Sequence, residues 1–270
     1  MNELINTITQ GDCLEVMKRI PDGSIDLTVT SPPYDNLRTY KGFEWDFEGI
    51  AKELYRVTKE GGVVIWVVGD ATVNGSETGT SFRHALYFKE IGFRLHDTMI
   101  YRKNSYPFPP SNRYYQQFEY MFVLSKGAPK TANLLRVETK WQKKNEELST
   151  TRNADGSVSE MKYEKGKPTR IMDNVWDVNT GYMRTTKDKY AYGHPAIFPE
   201  ELAENHVKTW SNPGDVVLDP FGGSGTTAKM SILNDRKYIY IDMAKEYCEI
   251  ARRRINEAKA IKNEKESDNI

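Results

Sequence analysis

A chain of 270 residues, 38% hydrophobic and 28% charged, can bury a full core as one large α/β domain with a smaller appended one. Its 38 Lys and Arg against 38 Asp and Glu leave no net charge, which excludes a global electrostatic attraction to nucleic acid, so any basic face is local. No apolar run is long enough for a membrane span and the N-terminus has no apolar signal core; a soluble, cytoplasmic protein is expected, and its two cysteines, Cys13 and Cys248, imply neither a disulfide framework nor a zinc site.

In chain order, Ile8-Thr9-Gln10 reads as a short strand ending at Gly11-Asp12, and Cys13 to Ile20 has helical spacing with Asp12 as its N-cap. After the turn Pro21-Asp22-Gly23, the apolar run Ile25 to Val29 leads into Thr30-Ser31-Pro32-Pro33-Tyr34. Two prolines lack the N–H groups a sheet ladder needs, so the strand stops here. The Ser31 hydroxyl and Pro32 carbonyl can both accept hydrogen bonds, and Tyr34 offers a flat face for stacking. That set suits a purine or pyrimidine amino group, although taken alone it is also an ordinary strand-ending turn.

Asp35 to Glu44, with Arg38, Tyr40, Lys41 and Phe43, has no clear period and reads as a loop, either over a target base or plain surface. Phe47 to Val57 puts Phe47, Ile50, Ala51, Leu54 and Tyr55 on one helical face, and Gly61-Gly62 is expected to end that helix before the buried strand Val63 to Val68. Phe82 to Ile91 reads as a helix. Arg94 to Arg102 and Tyr120 to Leu124 read as strands, joined by the Pro-, Tyr- and Asn-rich stretch Lys103 to Phe118. Gly127 to Gly193 breaks the alternation, and by composition it is a solvated insertion; residues 131 to 190 hold 12 Lys and Arg against 9 Asp and Glu, a local basic excess.

His194 to Glu200 opens a helix running to about Trp210. His194 reads as structural, since no residue of catalytic type stands near it. Val216-Val217-Leu218 then leads into Asp219-Pro220-Phe221-Gly222-Gly223-Ser224-Gly225-Thr226-Thr227 and a helix from Ala228 to Leu233. A strand, a glycine-rich turn and a helix bring backbone close to a nucleotide-like ligand, but the spacing is that of neither dinucleotide nor P-loop phosphate cradles. The strand Tyr238 to Ile241 ends at Asp242, placed to accept from a ribose hydroxyl. Lys245 to Ala260 is amphipathic through Tyr247, Ile250, Ala251 and Ile255, and a charged tail follows.

The two glycine- and proline-marked turns together resemble the S-adenosyl-L-methionine-dependent amino methyltransferases that act on DNA. Thr30 to Tyr34 is similar to the family's catalytic (D/N/S)-P-P-(Y/F) signature and Asp219 to Thr226 to its cofactor signature; catalytic motif first, cofactor motif last, is the order of the beta group. The resemblance covers roughly residues 6 to 125 and 190 to 256. It implies an α/β Rossmann-like sheet of seven mostly parallel strands in circularly permuted chain order. The catalytic half would occupy 1–126, an inserted target-recognition region 127–193, the cofactor-binding half 194–260 and a charged tail 261–270.

The same resemblance implies Ser31, Pro32, Pro33 and Tyr34 as catalytic residues. It implies Asp12, Phe198, Pro199, Glu200, Asp219, Phe221, Gly222, Gly223, Gly225 and Asp242 as cofactor contacts, with no metal. Double-stranded DNA is the implied partner; the setting leaves room for a cognate restriction endonuclease and a homodimer. Neither cysteine lies in a Pro-Cys setting, so covalent catalysis at ring carbon is disfavoured, and a flipped base must present its amino group. Ser31 before the prolines, with Leu37-Arg38 and Tyr40 downstream, resembles cytosine-N4 enzymes more than adenine ones without excluding adenine N6. RNA or protein glutamine methyltransferases are a more distant alternative, since they usually place the cofactor motif first.

Overall fold

The computed structural model describes every residue except Tyr34, 36–44, 105–110, 140–147, 163–167 and 268–270. The aromatic Tyr34 and the loop residues Arg38, Tyr40, Lys41 and Phe43 therefore lie outside the described residues. The chain divides into two compact units, a main unit, Met1–Asn133 with Asn174–Ile270, and a second unit, Leu134–Asp173.

The main unit is built on one sheet. Its strands are β1 (Thr7–Gln10), β2 (Ile25–Thr30), β3 (Thr58–Val68), β4 (Arg94–Lys103), β5 (Phe118–Ser125), β6 (Val175–Val178), β7 (Val216–Asp219) and β8 (Lys237–Asp242). They lie in the order β1-β8-β7-β2-β3-β5-β4-β6. β5 pairs antiparallel with both β3 and β4, and the remaining pairs are parallel. The seven strands expected from sequence are all present, and an eighth, β6, extends the sheet from within residues 127–193 by pairing with β4. Its Trp176 and Val178 are buried, so this part of the insertion belongs to the core of the main unit.

Helices α1 (Cys13–Met17), α2 (Phe47–Val57), α3 (Thr80–Glu90), α4 (Glu200–Trp210), α5 (Thr226–Leu233) and α6 (Lys245–Ser267) cover the sheet. β3 reads Val63 to Val68 without alternation because both of its faces are buried. α2 buries Ile50, Ala51, Leu54 and Val57, the stripe its spacing dictates, and Asp46 caps its start by accepting from Gly49 N at 2.9 Å.

One boundary differs from expectation. Gly61-Gly62 does not end α2; the helix stops at Val57, where Thr58 turns extended and its Oγ1 donates to Leu54 O at 2.6 Å. The glycines sit inside β3 because space is lacking there: a Cβ on Gly62 would meet Asp26 O at 3.0 Å, and one on Gly61, at φ +81°, would strike Lys130.

The second unit consists of two short antiparallel ladders. Arg136–Glu138 pairs with Thr169–Ile171, and Leu148–Arg152 pairs with Val158–Lys162. The latter hairpin closes at Asp155, whose carboxylate accepts from Ser157 N at 2.9 Å, with Gly156 at φ +84°. No helix among the described residues is long and apolar enough to cross a membrane.

Candidate active site

Parallel order places the C-terminal ends of β1, β8, β7, β2, β3, β4 and β6 along one edge of the sheet, and reversed β5 contributes its N-terminal end to the same edge. Neighbouring strands stand roughly 4.8 Å apart. The residues at this edge therefore form a row: Asp12 after β1, Asp242 ending β8, Asp219 ending β7, Ser31 after β2 and Asp70 after β3, then Glu119 on β5 and Lys103 on β4. All seven line a single cavity of about 700 Å³. This is the crevice where open α/β sheets bind ligands.

The two turns singled out by sequence are side by side, because β7 pairs with β2 through Leu218 and Thr28. A side-chain bond joins them: Thr30 Oγ1 donates to Asp219 Oδ1 at 2.7 Å in a buried setting. Phe221 N donates to the same oxygen at 3.2 Å. Burial pushes Asp219 up to about 6 despite these donors. Burial raises Asp242 as well, against donation from Ala244 N and Gly223 N. The Gly223 N bond to Asp242 Oδ2 is 2.8 Å long and ties the glycine-rich turn to β8.

Gly222 is required by packing. A Cβ there would stand 2.2 Å from Tyr240 Cε2, and Tyr240 is fully buried with its hydroxyl donating to Gly223 O at 2.7 Å. Gly225, at φ +80°, opens α5 where a Cβ would press on Ala251 of α6. Asp12 does two things: it caps α1, accepting from Glu15 N at 3.1 Å, and it lines the cavity.

The other sequence-designated residues divide. Ser31, Pro33, Phe198, Pro199, Phe221, Gly222 and Gly223 line the cavity beside Asp12, Asp219 and Asp242, whereas Pro32, Glu200 and Gly225 stand behind its wall. Glu200 begins α4 with its carboxylate turned inward to Lys229, Arg254 and Thr186. The segment leaving the Ser31–Pro33 turn is held by Asp35, which accepts from Ala71 N at 2.9 Å and from the hydroxyls of Thr78 and Thr80. Burial works against its ionisation, but those donors outweigh it and hold Asp35 below the usual carboxylate range. Beyond the undescribed 36–44, Trp45 packs edge-on to Phe221 at 5.5 Å and lies 6.2 Å from Trp66. Trp66 Nε1 donates to His84 Nδ1 at 3.2 Å, and burial brings His84 down to about 4, so the ring is neutral.

Sequence reasoning missed part of the wall. Tyr101 and Lys103 of β4, Phe118 and Glu119 of β5, and Gln116 just before β5 line it, with Lys103 and Glu119 ion-paired. His194 also lines it: its Nδ1 accepts from Ala196 N at 3.1 Å and its ring stands 4.2 Å from that of Tyr247. The nearest signal for His194 was its place just before Pro195 at the mouth of α4.

Among the described residues the charged lining comprises five carboxylates against one ammonium, that of Lys103, which favours a cationic ligand and disfavours a pyrophosphate. S-Adenosyl-L-methionine, with its sulfonium and ammonium charges, fits this lining, and Gly222 and Gly223 leave backbone open to it. Cys13 lines the cavity too, but burial, with Asp12 nearby, pushes its thiol up to about 12, so it offers no thiolate at neutral pH.

The sequence profile of a family described as DNA methylase matches residues 25–253. The chain is 58% identical over 241 residues, 88% of this chain and 91% of the relative, to the orphan methyltransferase M.BamHII of Bacillus amyloliquefaciens. It is 28% identical over 265 residues, 93% of this chain and 83% of the relative, to the DNA adenine methyltransferase YhdJ of Escherichia coli strain K12. The solved structure of the cytosine-N4-specific PvuII DNA methyltransferase is similar with a TM-score of 0.67 at 23% identity, covering 92% of this chain and 85% of that chain, a likeness of fold alone.

Proposed function

The chain belongs to this DNA methylase family, whose S-adenosylmethionine-dependent members methylate amino groups of DNA bases, and on that premise we propose that its target is the N4 amino group of cytosine. Methyl transfer to an amino group is supported by the adjacency of the Ser31–Pro33 turn and the Asp219–Gly223 turn across the β2–β7 pair, in one cavity, while the choice of cytosine rests on Ser31.

When bound, S-adenosyl-L-methionine supplies an electrophilic methyl group. Asp12, Asp219, Asp242, Phe198, Pro199 and the Phe221-Gly222-Gly223 turn would hold it in the β1–β8–β7 half of the cavity. The Ser31 hydroxyl, at the cavity wall, accepts a hydrogen bond from the target amino group, and the Pro32 carbonyl, behind that wall in this structure, would have to turn to the cavity to accept the second. The two acceptors draw the lone pair out of conjugation with the ring and toward the methyl donor, and one amino hydrogen leaves as a proton when the N–methyl bond forms. Tyr34 stacks on the extruded base, offsetting a few kcal/mol of lost stacking. Positioning and charge carry the rate, with no covalent enzyme intermediate, consistent with a protonated Cys13.

By resemblance, Ser31, a neutral hydroxyl, favours cytosine over adenine, since a carboxylate or amide usually precedes the prolines in adenine enzymes. YhdJ, named as an adenine methyltransferase, keeps N6 as the second reading. Target recognition falls to residues 127–193 with the Lys103 to Phe118 loop, where the basic excess lies.

The roles separate experimentally. Asp242→Ala should weaken S-adenosylmethionine binding, whereas Ser31→Ala and Tyr34→Ala should keep it and lose methyl transfer. Unchanged cofactor affinity in Asp242→Ala would remove that assignment.

A further inference from the structure

One fully buried cation lies behind the cofactor half of the cavity. Arg254, on α6, has no exposed side-chain surface. Its Nη1 donates to Ser224 O and Oγ, each at 3.1 Å, and to Thr226 Oγ1 at 2.8 Å, three acceptors on the glycine-rich turn. Its Nε donates to Asp188 Oδ2 at 2.7 Å, and Nη2 reaches Thr186 Oγ1 and Glu200 Oε1. Those partners belong to the 185–200 segment, whose Thr185, Phe198 and Pro199 line the cavity.

Lys229 of α5 completes the cluster, donating to Asp188 Oδ2 at 2.8 Å and Glu200 Oε1 at 2.7 Å. Two cations thus meet two carboxylates, and the charge closes. Burial opposes ionisation of Asp188, yet Lys229 and Arg254 outweigh it. A buried pair of this kind is weak evidence for stability, because desolvation offsets much of the attraction. What it does supply is geometry. A planar guanidinium with fixed donor directions bonds two separate chain segments at once, and each of them forms a wall of the same site. A second link runs parallel to it: Thr226 Oγ1 donates to Phe198 O at 3.1 Å.

We infer that Arg254 is a positioning residue for S-adenosylmethionine: its guanidinium presets the spacing between the Ser224–Thr226 turn and the 185–200 wall, so that the cofactor enters a site already formed. This rests on the methyltransferase reading. It also accounts for Glu200, which serves the site through Arg254 and Lys229 while its carboxylate points away from the cavity. Lys cannot replace Arg here, since a single ammonium cannot span acceptors on both segments.

The test uses the full-length chain with Arg254→Lys and Thr186→Val, and Arg254→Met as the severe case. Affinity for S-adenosylmethionine is read by calorimetry on the folded fraction, together with KM for cofactor, KM for DNA, kcat and thermal unfolding. Arg254→Lys should raise the cofactor Kd and KM about tenfold and leave KM for DNA within about twofold. Thr186→Val, which keeps every charge, should shift the same constants in the same direction by a smaller factor. Wild-type cofactor affinity in both variants, with only a lowered Tm, would overturn the inference, as would equal losses toward cofactor and DNA. If Arg254→Met does not fold, the other two variants still decide. A wild-type chain that binds no S-adenosylmethionine is a different result, and it would overturn the methyltransferase reading itself.

Discussion

Thr30 and Asp219, 189 residues apart in sequence, share a buried 2.7 Å hydrogen bond that joins the strand leading into the Ser31–Pro33 turn to the strand leading into the Phe221–Gly223 turn. It gives a buried carboxyl one of its donors and fixes where one turn sits against the other. Thr30→Val keeps the shape and removes the donor. Loss of stability of about 1–3 kcal/mol is expected, with a further rise in the Asp219 pKa and weaker cofactor binding. Denaturant unfolding with and without S-adenosylmethionine measures both; an unchanged midpoint would show that the bond does not matter.

Asp219 sets a pH dependence. Because burial raises it to about 6, its folded form holds a proton more tightly than the unfolded chain does. Without ligand, its contribution to stability is full below the ordinary carboxylate value of about 3.9 and is lost as pH rises through about 6. A cationic ligand works in the opposite direction, favouring the carboxylate. Affinity for S-adenosylmethionine should therefore hold above about pH 6 and fall below it, by at most about tenfold per pH unit. Titration calorimetry from pH 5 to 8 should show proton release near pH 6, and Asp219→Asn should flatten the profile. A wild-type profile as flat as the variant's would rule out a charge contact between Asp219 and the cofactor.

Gly222 and Tyr240 form a packed pair, with no room for a methyl group between them. Gly222→Ala should displace the turn at a cost of about 1–3 kcal/mol and weaken cofactor binding more than its effect on stability accounts for. Tyr240→Phe removes only the donor to Gly223 O and should cost about 1 kcal/mol. Comparing Tm and cofactor Kd for the two variants checks this; equal effects would mean the clash is relieved without moving the turn.

Sequence legibility followed the locality of the signals. The Pro32-Pro33 stop, the Gly222-Gly223 turn and the apolar runs each carry a local reason, and all seven expected strands formed. Strand order is not local. Lys103 read as the start of the connecting stretch and Glu119 as lying just before the next strand, and only the reversed β5 brings them to the edge that holds Ser31 and Asp219. β6 was hidden because its burial alternates over only four residues, Val175-Trp176-Asp177-Val178, too short a run inside a polar stretch for the period to show in the residue types. Arg254 left a faint trace: it falls on the apolar stripe of α6 between Ala251 and Ile255, where an arginine needs buried partners that no linear pattern displays. Gly61 and Gly62 read as a helix stop because a glycine demanded by a close neighbour looks the same in sequence as one demanded by a cap.

The Leu134–Asp173 unit tests the assignment of DNA recognition. Replacing residues 140–168 by a short linker should leave S-adenosylmethionine affinity intact while DNA affinity, sequence preference and the steepness of the salt dependence all decline. Binding isotherms at several salt concentrations, on specific and random duplexes, provide the measurement. Unchanged affinity and preference would move recognition elsewhere in the chain.

The most direct test of the central claim is mass spectrometry of nucleosides from duplex DNA incubated with the protein and methyl-labelled S-adenosylmethionine. The expected result is label in N4-methyl-2′-deoxycytidine, absent with Ser31→Ala. Label in N6-methyl-2′-deoxyadenosine alone would contradict the choice of base, and label in 5-methyl-2′-deoxycytidine, or in no base, would contradict amino methylation as the reaction.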